Sequence, residues 1–253
     1  MLDENNTLIG ENTDVFGLQA AYLKEMSNIE NKKVLVIGAG PSGMESARLL
    51  AMQGHHVEVW EKDKDIGGTV RVAALAYEPN GRLISYLKNS LDELGVKIKL
   101  KKIATAGSIK AFNPDHVIVA IGAKRNAPSI KGKNNKNVFD GEQLRGLLFG
   151  SDANAINKLS IFQQLILKIG KASQLLRNIS ALRFLSKIWM PLSKNIIVIG
   201  GDLVGLELAE FLVERGRTVK VLEPSSSLGP NLSIVRRSRV VHMLKEHGVE
   251  LLT

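Results

Sequence analysis

Residues 33–43 read Lys33-Val34-Leu35-Val36-Ile37-Gly38-Ala39-Gly40-Pro41-Ser42-Gly43. The apolar, largely branched run before the first glycine predicts a strand that is buried on both faces. The glycines then have separate roles in a strand-to-helix turn: Gly38 makes the tight turn, Gly40 lets the backbone approach a pyrophosphate, and Gly43 lets helix and strand pack closely. A helix that begins here points free N–H groups and its positive dipole end at the phosphates.

The pattern recurs at a constant offset of 162 residues, in Asn195-Ile196-Ile197-Val198-Ile199-Gly200-Gly201-Asp202-Leu203-Val204-Gly205. Each copy reads as strand, glycine-rich turn, helix, glycine stop and a second strand that ends in an acid. The matched residues are Gly38 with Gly200, Gly43 with Gly205, Glu45 with Glu207, Ala47 with Ala209, Gly54 with Gly216, Val57 with Val219, Val59 with Val221 and Glu61 with Glu223. We therefore expect an α/β protein with two Rossmann-like dinucleotide-binding units.

The acid at the end of each second strand indicates how a nucleotide ribose would be held. Glu61 and Glu223 are placed to accept hydrogen bonds from a ribose 2′-hydroxyl, and a 2′-phosphate would be repelled. The second copy carries Asp202 where the first has Gly40. Its side chain takes the space needed for close approach, and its charge opposes a pyrophosphate. Nucleotide binding and a purely structural role therefore both stay open for the second unit.

Four further strings give the chain a family resemblance. They are Ile66-Gly67-Gly68-Thr69, Tyr77-Glu78-Pro79-Asn80-Gly81-Arg82, Val119-Ala120-Ile121-Gly122-Ala123 and Gly205-Leu206-Glu207-Leu208-Ala209-Glu210-Phe211-Leu212. From about Asn31 onward the chain resembles the flavin and nicotinamide module of old-yellow-enzyme-like NADH:flavin oxidoreductases, the group that contains 2,4-dienoyl-CoA reductase. The resemblance implies an FAD-dependent NAD(P)H oxidoreductase that passes hydride from NADH, in preference to NADPH, to FAD. It also implies that the chain is part of, or derived from, a larger enoate reductase.

The resemblance assigns residues to each cofactor. FAD would bind at Gly38, Gly40, Pro41, Ser42, Gly43, Glu61, Lys62, Gly67, Gly68, Thr69 and Gly122. NADH would bind at Gly200, Gly201, Asp202, Gly205 and Glu223. Ile121 stands where the family usually has a threonine. Because the chain has no cysteine, no cysteine pair can accept electrons, so they would pass to a flavin-barrel domain outside the chain, a partner protein or a diffusible acceptor.

The first thirty residues carry a second resemblance. Leu8-Ile9-Gly10-Glu11-Asn12-Thr13-Asp14-Val15-Phe16-Gly17 is similar to the Asn-Thr-Asp segment of shikimate dehydrogenases. On this interpretation Asp14 would be a catalytic or substrate-binding residue in the remnant of an NAD(P)-dependent shikimate or quinate dehydrogenase. The alternative is an N-terminal helix capped by Thr13 or Asp14. No other side chain is expected to be catalytic, since the cofactors supply the chemistry.

Composition places the chain among ordinary globular proteins. It has 253 residues, 44% of them hydrophobic, and a formal net charge of +9 that suggests an anionic partner. The acidic start is unlike a secretory signal, and no apolar run approaches the roughly 18 residues of a membrane span, so a cytoplasmic protein is expected. The histidines lack partners at metal-ligand spacing, and no aromatic residues interleave with the basic ones. We therefore predict neither a metal site nor a nucleic-acid site.

The positive charge is concentrated between Ser151 and Leu192. The segment contains one acid, Asp152, and the basic residues Lys158, Lys168, Lys171, Arg177, Arg183 and Lys187. Its apolar residues recur near helical spacing and predict two amphipathic helices. Such helices could rest on an anionic membrane, in a non-catalytic nucleotide-binding or membrane-associated protein. An inserted hairpin that packs on the domains or on a neighbouring subunit is the preferred interpretation.

These patterns divide the chain into four parts. Residues 1–30 are predicted to be an N-terminal helical segment, and 31–144 an FAD-binding Rossmann-like domain. Residues 145–192 form the basic helical insertion, and 193–253 a partial NAD(P)H-binding Rossmann-like unit. The sequence gives no oligomeric state.

Overall fold

The computed structural model describes residues 31–123, 130–149, 152–173 and 178–253, and Asp14 lies outside them with the rest of residues 1–30. The chain divides into two compact units. The first unit runs up to Arg71 and resumes from Pro79 to Lys124, and the second contains Val72–Glu78 and the chain from Arg125 onward. The predicted domain 31–144 therefore contributes two of its segments to the second unit.

The first unit is built on a parallel sheet with strand order β3-β2-β1-β4. The elements from β1 to β4 in chain order are β1 (Lys33–Ile37), α1 (Pro41–Met52), β2 (His56–Trp60), α2 (Val70–Ala76), α3 (Pro79–Glu93), β3 (Lys97–Lys99), α4 (Ala106–Phe112) and β4 (His116–Val119). Helix α2 belongs to the second unit from Val72 onward. Val36 of the central strand lies opposite Val59 of β2 and Ile118 of β4. The strand and helix predicted around the first glycine turn are thus β1 and α1.

The core of the first unit lies between this sheet and two helices. Val34, Leu35 and Val36 are all fully buried, so both faces of β1 are covered, as the sequence predicts. Met44 and Leu50 of α1 and Leu87 and Leu91 of α3 are buried with the sheet residues. The apolar spacing of these helices thus supports the strand that carries the glycine turn.

The second unit is built on a parallel sheet with strand order β5-β6-β7. The elements in chain order are α5 (Gly141–Leu148), α6 (Ala153–Asn157), α7 (Ile161–Ala172), α8 (Ile179–Ile188), β5 (Asn195–Ile199), α9 (Leu203–Val213), β6 (Thr218–Leu222), α10 (Ile234–Glu246) and β7 (Glu250–Leu252). The predicted α/β fold with two Rossmann-like units is confirmed. The described residues of the basic segment form three helices, where the sequence predicted two. Each begins at a side chain that accepts a hydrogen bond from a backbone N–H, and these side chains are Asp152, Ser160 and Asn178.

Strand β5 differs from β1 in burial, although its sequence is just as apolar. Val198 is buried, whereas Ile197 and Ile199 are 62% and 56% exposed. Residues of the described chain therefore cover only one face of β5. Apolar composition alone did not distinguish a half-covered strand from a fully covered one.

The segment Val72–Glu78 belongs to the second unit because two arginines hold it there. Arg215 is almost fully buried, and its guanidinium donates to Leu75 O at 3.4 Å and to Ser186 Oγ at 2.9 Å. Arg183 donates to Ala74 O and also to Leu75 O. Both cations thus satisfy carbonyl groups at the C-terminal end of α2, where the helix dipole is negative.

Candidate functional site

The first glycine turn requires Gly38 for two reasons. Its φ is +106°, which side chains rarely adopt, and a Cβ added there would lie 2.3 Å from Ala120 O. The Gly38 N–H donates to Trp60 O at 2.8 Å, which fixes the turn against the end of β2. The turn is therefore held between β2 and the residue that follows β4.

Gly43 lets α1 pack closely against the turn. A Cβ at this position would lie 2.0 Å from Gly38 O and 3.2 Å from the Ala120 Cβ. No ordinary adjustment relieves such an overlap with a backbone oxygen. The close packing predicted for Gly43 is present.

Gly40 is where the turn is open. It is the N-cap of α1, its φ is −74°, and a Cβ added there meets no heavy atom within 4 Å. The first hydrogen bond of the helix runs from Met44 N to Gly40 O at 2.9 Å, so the N–H groups of Ser42 and Gly43 precede it and have no acceptor within α1. Pro41, at the first helical position, has no N–H to satisfy. This end of α1 has the geometry of an anion-binding helix terminus.

Glu61 lies beside the same turn. Its side chain is buried, one carboxylate oxygen accepts from Ala39 N at 2.6 Å, and the other accepts from Asp63 N at 2.9 Å. Two backbone donors thus orient the carboxylate, whose oxygens keep further lone pairs for other donors. Backbone hydrogen bonds therefore hold the Glu61 carboxylate at the turn.

A loop after β2 completes the first site. Gly67 has φ +97° and donates its N–H to Ala39 O at 2.7 Å, and a Cβ there would lie 2.7 Å from Ile84 Cδ1. A Cβ at Gly68 would come within 3.2 Å of the Gly40 Cα. The structure thus brings Gly40, Glu61, Gly67 and Gly68 together around one turn. Their spacing in the sequence does not by itself predict this proximity.

The other residues assigned to the first site lie at its exposed edges. Lys62 and Thr69 are exposed, next to Glu61 and Gly68 in the chain. Gly122 is exposed and has φ +74°, with open space around a Cβ. Ile121, at the usual threonine position, is 71% exposed. The Ile121 side chain has no hydrogen-bond donor, and most of its surface contacts no other residue that the structure describes.

The second unit repeats the hydrogen bonds of the first at equivalent positions. Gly200 has φ +105° and donates to Leu222 O at 2.8 Å. A Cβ at Gly205 would lie 1.8 Å from Gly200 O. Glu223 accepts from Gly201 N at 2.6 Å and from Ser225 N at 2.9 Å. Hydrogen bonds from Ser225 and Gly201 hold the pKa of the Glu223 carboxyl below its ordinary value, so it is charged at neutral pH.

The structural repeat extends beyond the residues matched by sequence. Gly229 N donates to Gly201 O at 2.7 Å, just as Gly67 N donates to Ala39 O, and the offset between the two glycines is again 162 residues. The loop after β6 is therefore the counterpart of the Gly67-Gly68 loop. Sequence reasoning missed it because only Gly229 keeps the residue type. A glycine at the same offset was the one available signal.

The two sites differ where Asp202 replaces Gly40. Asp202 has φ −90°, so the backbone accommodates a side chain there without strain. One carboxylate oxygen accepts from Asn231 Nδ2 at 2.8 Å, and the other lies 3.4 Å from Asn231 N. Hydrogen bonds hold the pKa of the Asp202 carboxyl below its ordinary value, and the largest contribution comes from the side-chain amide of Asn231. A charged side chain, tied to the loop after β6, thus stands at the start of α9.

A cavity of about 310 Å³ opens beside the second site. Its lining includes Ser226 and Ser227 of the loop after Glu223, Arg237 of α10, and Thr253 after β7. The loop and the strand both lie at the carboxyl end of the parallel sheet, the end at which open α/β sheets bind ligands. No helix in the described ranges has the length and apolarity needed to cross a membrane.

Two β-α-β units in one chain, each with a glycine turn, an acid after the second strand and a returning glycine loop, define a protein with paired dinucleotide-binding folds. The family model described as pyridine nucleotide-disulphide oxidoreductase matches residues 32–253. The chain belongs to that family, whose members are enzymes that bind FAD and a pyridine nucleotide.

Three relatives show how much of a larger protein the chain represents. The bilirubin reductase of Mediterraneibacter gnavus is 33% identical over 88% of this chain and 29% of its own length. The NADH oxidase of Thermoanaerobacter brockii is 27% identical over 94% of the chain and 31% of its own. A solved 2-naphthoyl-CoA reductase complex superposes with a TM-score of 0.66 at 30% identity, over 88% of this chain and 28% of that one. The chain thus spans less than a third of these proteins.

These findings confirm the predicted relationship to flavin-dependent NAD(P)H oxidoreductases. The similarity of Leu8–Gly17 to shikimate dehydrogenases gains no support from them. Asp14, the one catalytic candidate, also lies outside the described residues. The findings support binding of FAD and a pyridine nucleotide, and they do not distinguish NADH from NADPH.

Proposed function

We propose that the first unit binds FAD, that the second binds NADH, and that the chain serves as the module that reduces flavin within a larger reductase. When bound, FAD supplies the redox chemistry by accepting a hydride from the reduced nicotinamide. The observation that carries the proposal is the repeated site. Both units place a helix start, an oriented glutamate and a returning glycine loop around one turn, and in the first unit the helix start is open.

In the first unit, the residues fit a flavin dinucleotide. Gly40 leaves open space at the start of α1, where a side chain would otherwise stand between the helix and a pyrophosphate. Glu61 is held where it accepts hydrogen bonds from ribose hydroxyls. A Cβ at Gly68 would press against the Gly40 Cα, so glycine at this position lets the loop lie close to the start of α1. Pro41, Ser42, Gly43, Lys62, Gly67, Thr69 and Gly122 complete the proposed FAD site.

In the second unit, Glu223 favours NADH over NADPH. Its charged carboxylate would repel a 2′-phosphate, whereas a 2′-hydroxyl donates to it. Gly200, Gly201 and Gly205 shape the turn as their counterparts do in the first unit. The cavity lined by Ser226 and Ser227 lies next to this acid in the chain and offers room for the adenosine end.

Asp202 makes the second site the weaker of the two. Its charge stands at the start of α9, where the pyrophosphate would meet the helix dipole. We expect low affinity for NADH as a result. A second candidate function, flavin binding without direct reduction by NADH, rests on this same Asp202 contact with Asn231.

The first experiment is a visible absorption spectrum of the chain after incubation with FAD and removal of free FAD, followed by anaerobic addition of NADH. We expect retained flavin absorbance that bleaches with NADH, and more slowly with NADPH. Glu61→Gln should lower flavin retention, and the matched Glu223→Gln should spare retention but slow bleaching and reduce the preference for NADH. Loss of all flavin would refute the proposal, and retained flavin that NADH does not bleach would select the second candidate.

The electron acceptor lies outside the chain. With no cysteine in the sequence, the reduced flavin cannot pass electrons to a disulfide within it. We propose a further domain, a partner protein or a small diffusible acceptor, in keeping with relatives more than three times as long. A cytoplasmic location stays a prediction from the sequence.

A further inference from the structure

The basic helices α7 and α8 use only one face to pack on the second unit. Leu167 of α7 and Leu182 of α8 are 5% and 6% exposed and belong to the core of that unit. Ser186, one turn after Leu182, is buried and accepts from Arg215. The preferred interpretation of an insertion packed on its own domain is therefore consistent with these faces.

The opposite face of α7 is apolar as well. Its exposed side chains form the α7 strip: Ile161 at 87%, Phe162 at 69%, Leu165 at 53% and Ile169 at 60% exposure. At about 100° per residue, the centre of this strip lies roughly 180° around the helix from Leu167. A helix that is apolar on both sides normally has a contact on both sides.

Helix α8 has the same arrangement. Phe184 and Ile188, one turn apart, are 66% and 70% exposed and form the α8 strip. They lie on the side of α8 away from Leu182 and Ser186. Six large apolar side chains of these two helices are thus exposed, four of them along one face of α7.

Basic residues accompany both strips. Lys168 on α7 and Lys187 on α8 are exposed, each about 80° around its helix from the centre of the strip, and no acid within the described ranges forms a salt bridge with either of them. The segment's one acid, Asp152, instead accepts backbone hydrogen bonds at the start of α6. The charge next to the strips is therefore positive and uncompensated.

We propose that the α7 and α8 strips bind the surface of an anionic lipid membrane. Apolar side chains flanked by lysines match an interface in which acyl chains lie beneath negative headgroups. A second copy of the chain fits less well, since it would bring the same lysines against each other. With 12 and 10 residues, α7 and α8 are too short to span a bilayer, so the contact is interfacial.

The inference does not depend on which cofactor the chain binds. It is tested by sedimentation of the full chain with vesicles of phosphatidylcholine alone and with vesicles containing about 30% phosphatidylglycerol. We expect sedimentation with the anionic vesicles and little with the neutral ones. Binding should weaken as salt rises from about 0.1 M to about 0.5 M, because salt screens exposed charges.

Two pairs of variants separate the apolar and charged contributions. Phe162→Ser with Ile169→Ser should lower partitioning by about tenfold per side chain, and folding should be retained because both side chains are exposed. Lys168→Glu with Lys187→Glu should abolish the preference for anionic vesicles. The matched control is Ile234→Ser with Val235→Ser on α10, where the side chains are 76% and 80% exposed, and it should leave binding unchanged.

Three results would overturn the proposal. One is absence of sedimentation with anionic vesicles, and another is an equal loss of binding in the Ile234 and Val235 control. The third is a dimer, detected by light scattering without lipid, that Phe162→Ser with Ile169→Ser converts to monomer while vesicle binding is absent. That result would assign the strips to a second copy of the chain.

Discussion

Two glycines of the first turn should respond in opposite ways to the same small substitution. An alanine Cβ at Gly43 would lie 2.0 Å from the backbone oxygen of Gly38, so either α1 or the turn must move. At Gly40 the same Cβ enters open space, and the backbone already has a conformation that alanine adopts. Folding stability should therefore report the change at Gly43, and FAD affinity the change at Gly40.

The contacts set the size of each effect. Gly43→Ala forces an atom against a backbone carbonyl that cannot rotate away, and it should lower the free energy of unfolding by about 2–3 kcal/mol. Gly40→Ala should change that free energy by no more than about 0.5 kcal/mol, because the reduced entropy of the unfolded chain offsets the poorer cap. Its FAD affinity should fall by about tenfold or more, since the methyl group stands where the pyrophosphate approaches.

Urea unfolding followed by circular dichroism measures the first quantity, and quenching of flavin fluorescence on titration measures the second. Gly107→Ala in α4 is the control, because a Cβ there also meets open space, far along the chain from the turn. It should leave FAD affinity unchanged and raise the free energy of unfolding by up to about 1 kcal/mol, opposite in sign to Gly43→Ala. A wild-type unfolding midpoint for Gly43→Ala, or a wild-type FAD affinity for Gly40→Ala, would refute this reasoning.

Three other changes have defined outcomes. Asp202→Gly should tighten NADH binding by about tenfold at low salt, with a smaller gain at high salt, and an equal gain at all salt concentrations in calorimetric titration would argue against a charge effect. Arg215→Met should lower the free energy of unfolding by about 1–3 kcal/mol, because Leu75 O and Ser186 lose a buried donor; unchanged urea unfolding would contradict that role. Burial, with a smaller contribution from His116, lowers the pKa of His55, so stability should be greatest above the unfolded pKa of about 6.5 and fall as the pH drops through it. His55→Leu should flatten this part of the pH profile, and an unaltered profile would assign it to other groups.

The fold and the first site could be predicted to a large extent from sequence. Glycine roles follow from local geometry, and strand, turn and helix lie within a few residues of one another. Gly38 and Gly43 have the close contacts expected of them, and the α/β fold with two units was predicted from the repeat. The hydrophobic pattern did not predict that one face of β5 is exposed, because Ile197 and Ile199 are as apolar as the covered residues of β1.

Long-range contacts account for the rest. Arg215 reads as a surface cation in sequence, yet it is nearly fully buried against Leu75, 140 positions earlier in the chain. Asp202 could be recognised as an obstacle, but its partner Asn231 follows a loop whose course depends on Gly229 and Gly201. Such pairs are fixed only once the whole unit has folded.

The repeated turn shows which of its positions accept a different residue in the two units. Gly43 and Gly205, whose side-chain space is filled by backbone atoms, stayed glycine in both copies. The position of Gly40, open in the first unit, is occupied by Asp202 in the second. Backbone contacts thus require glycine at the Gly43 position in both units, whereas at the Gly40 position the fold accepts a side chain. The same fold therefore carries a neutral helix start in one unit and a negatively charged one in the other, so ligand preference can differ between the units without a change in the backbone.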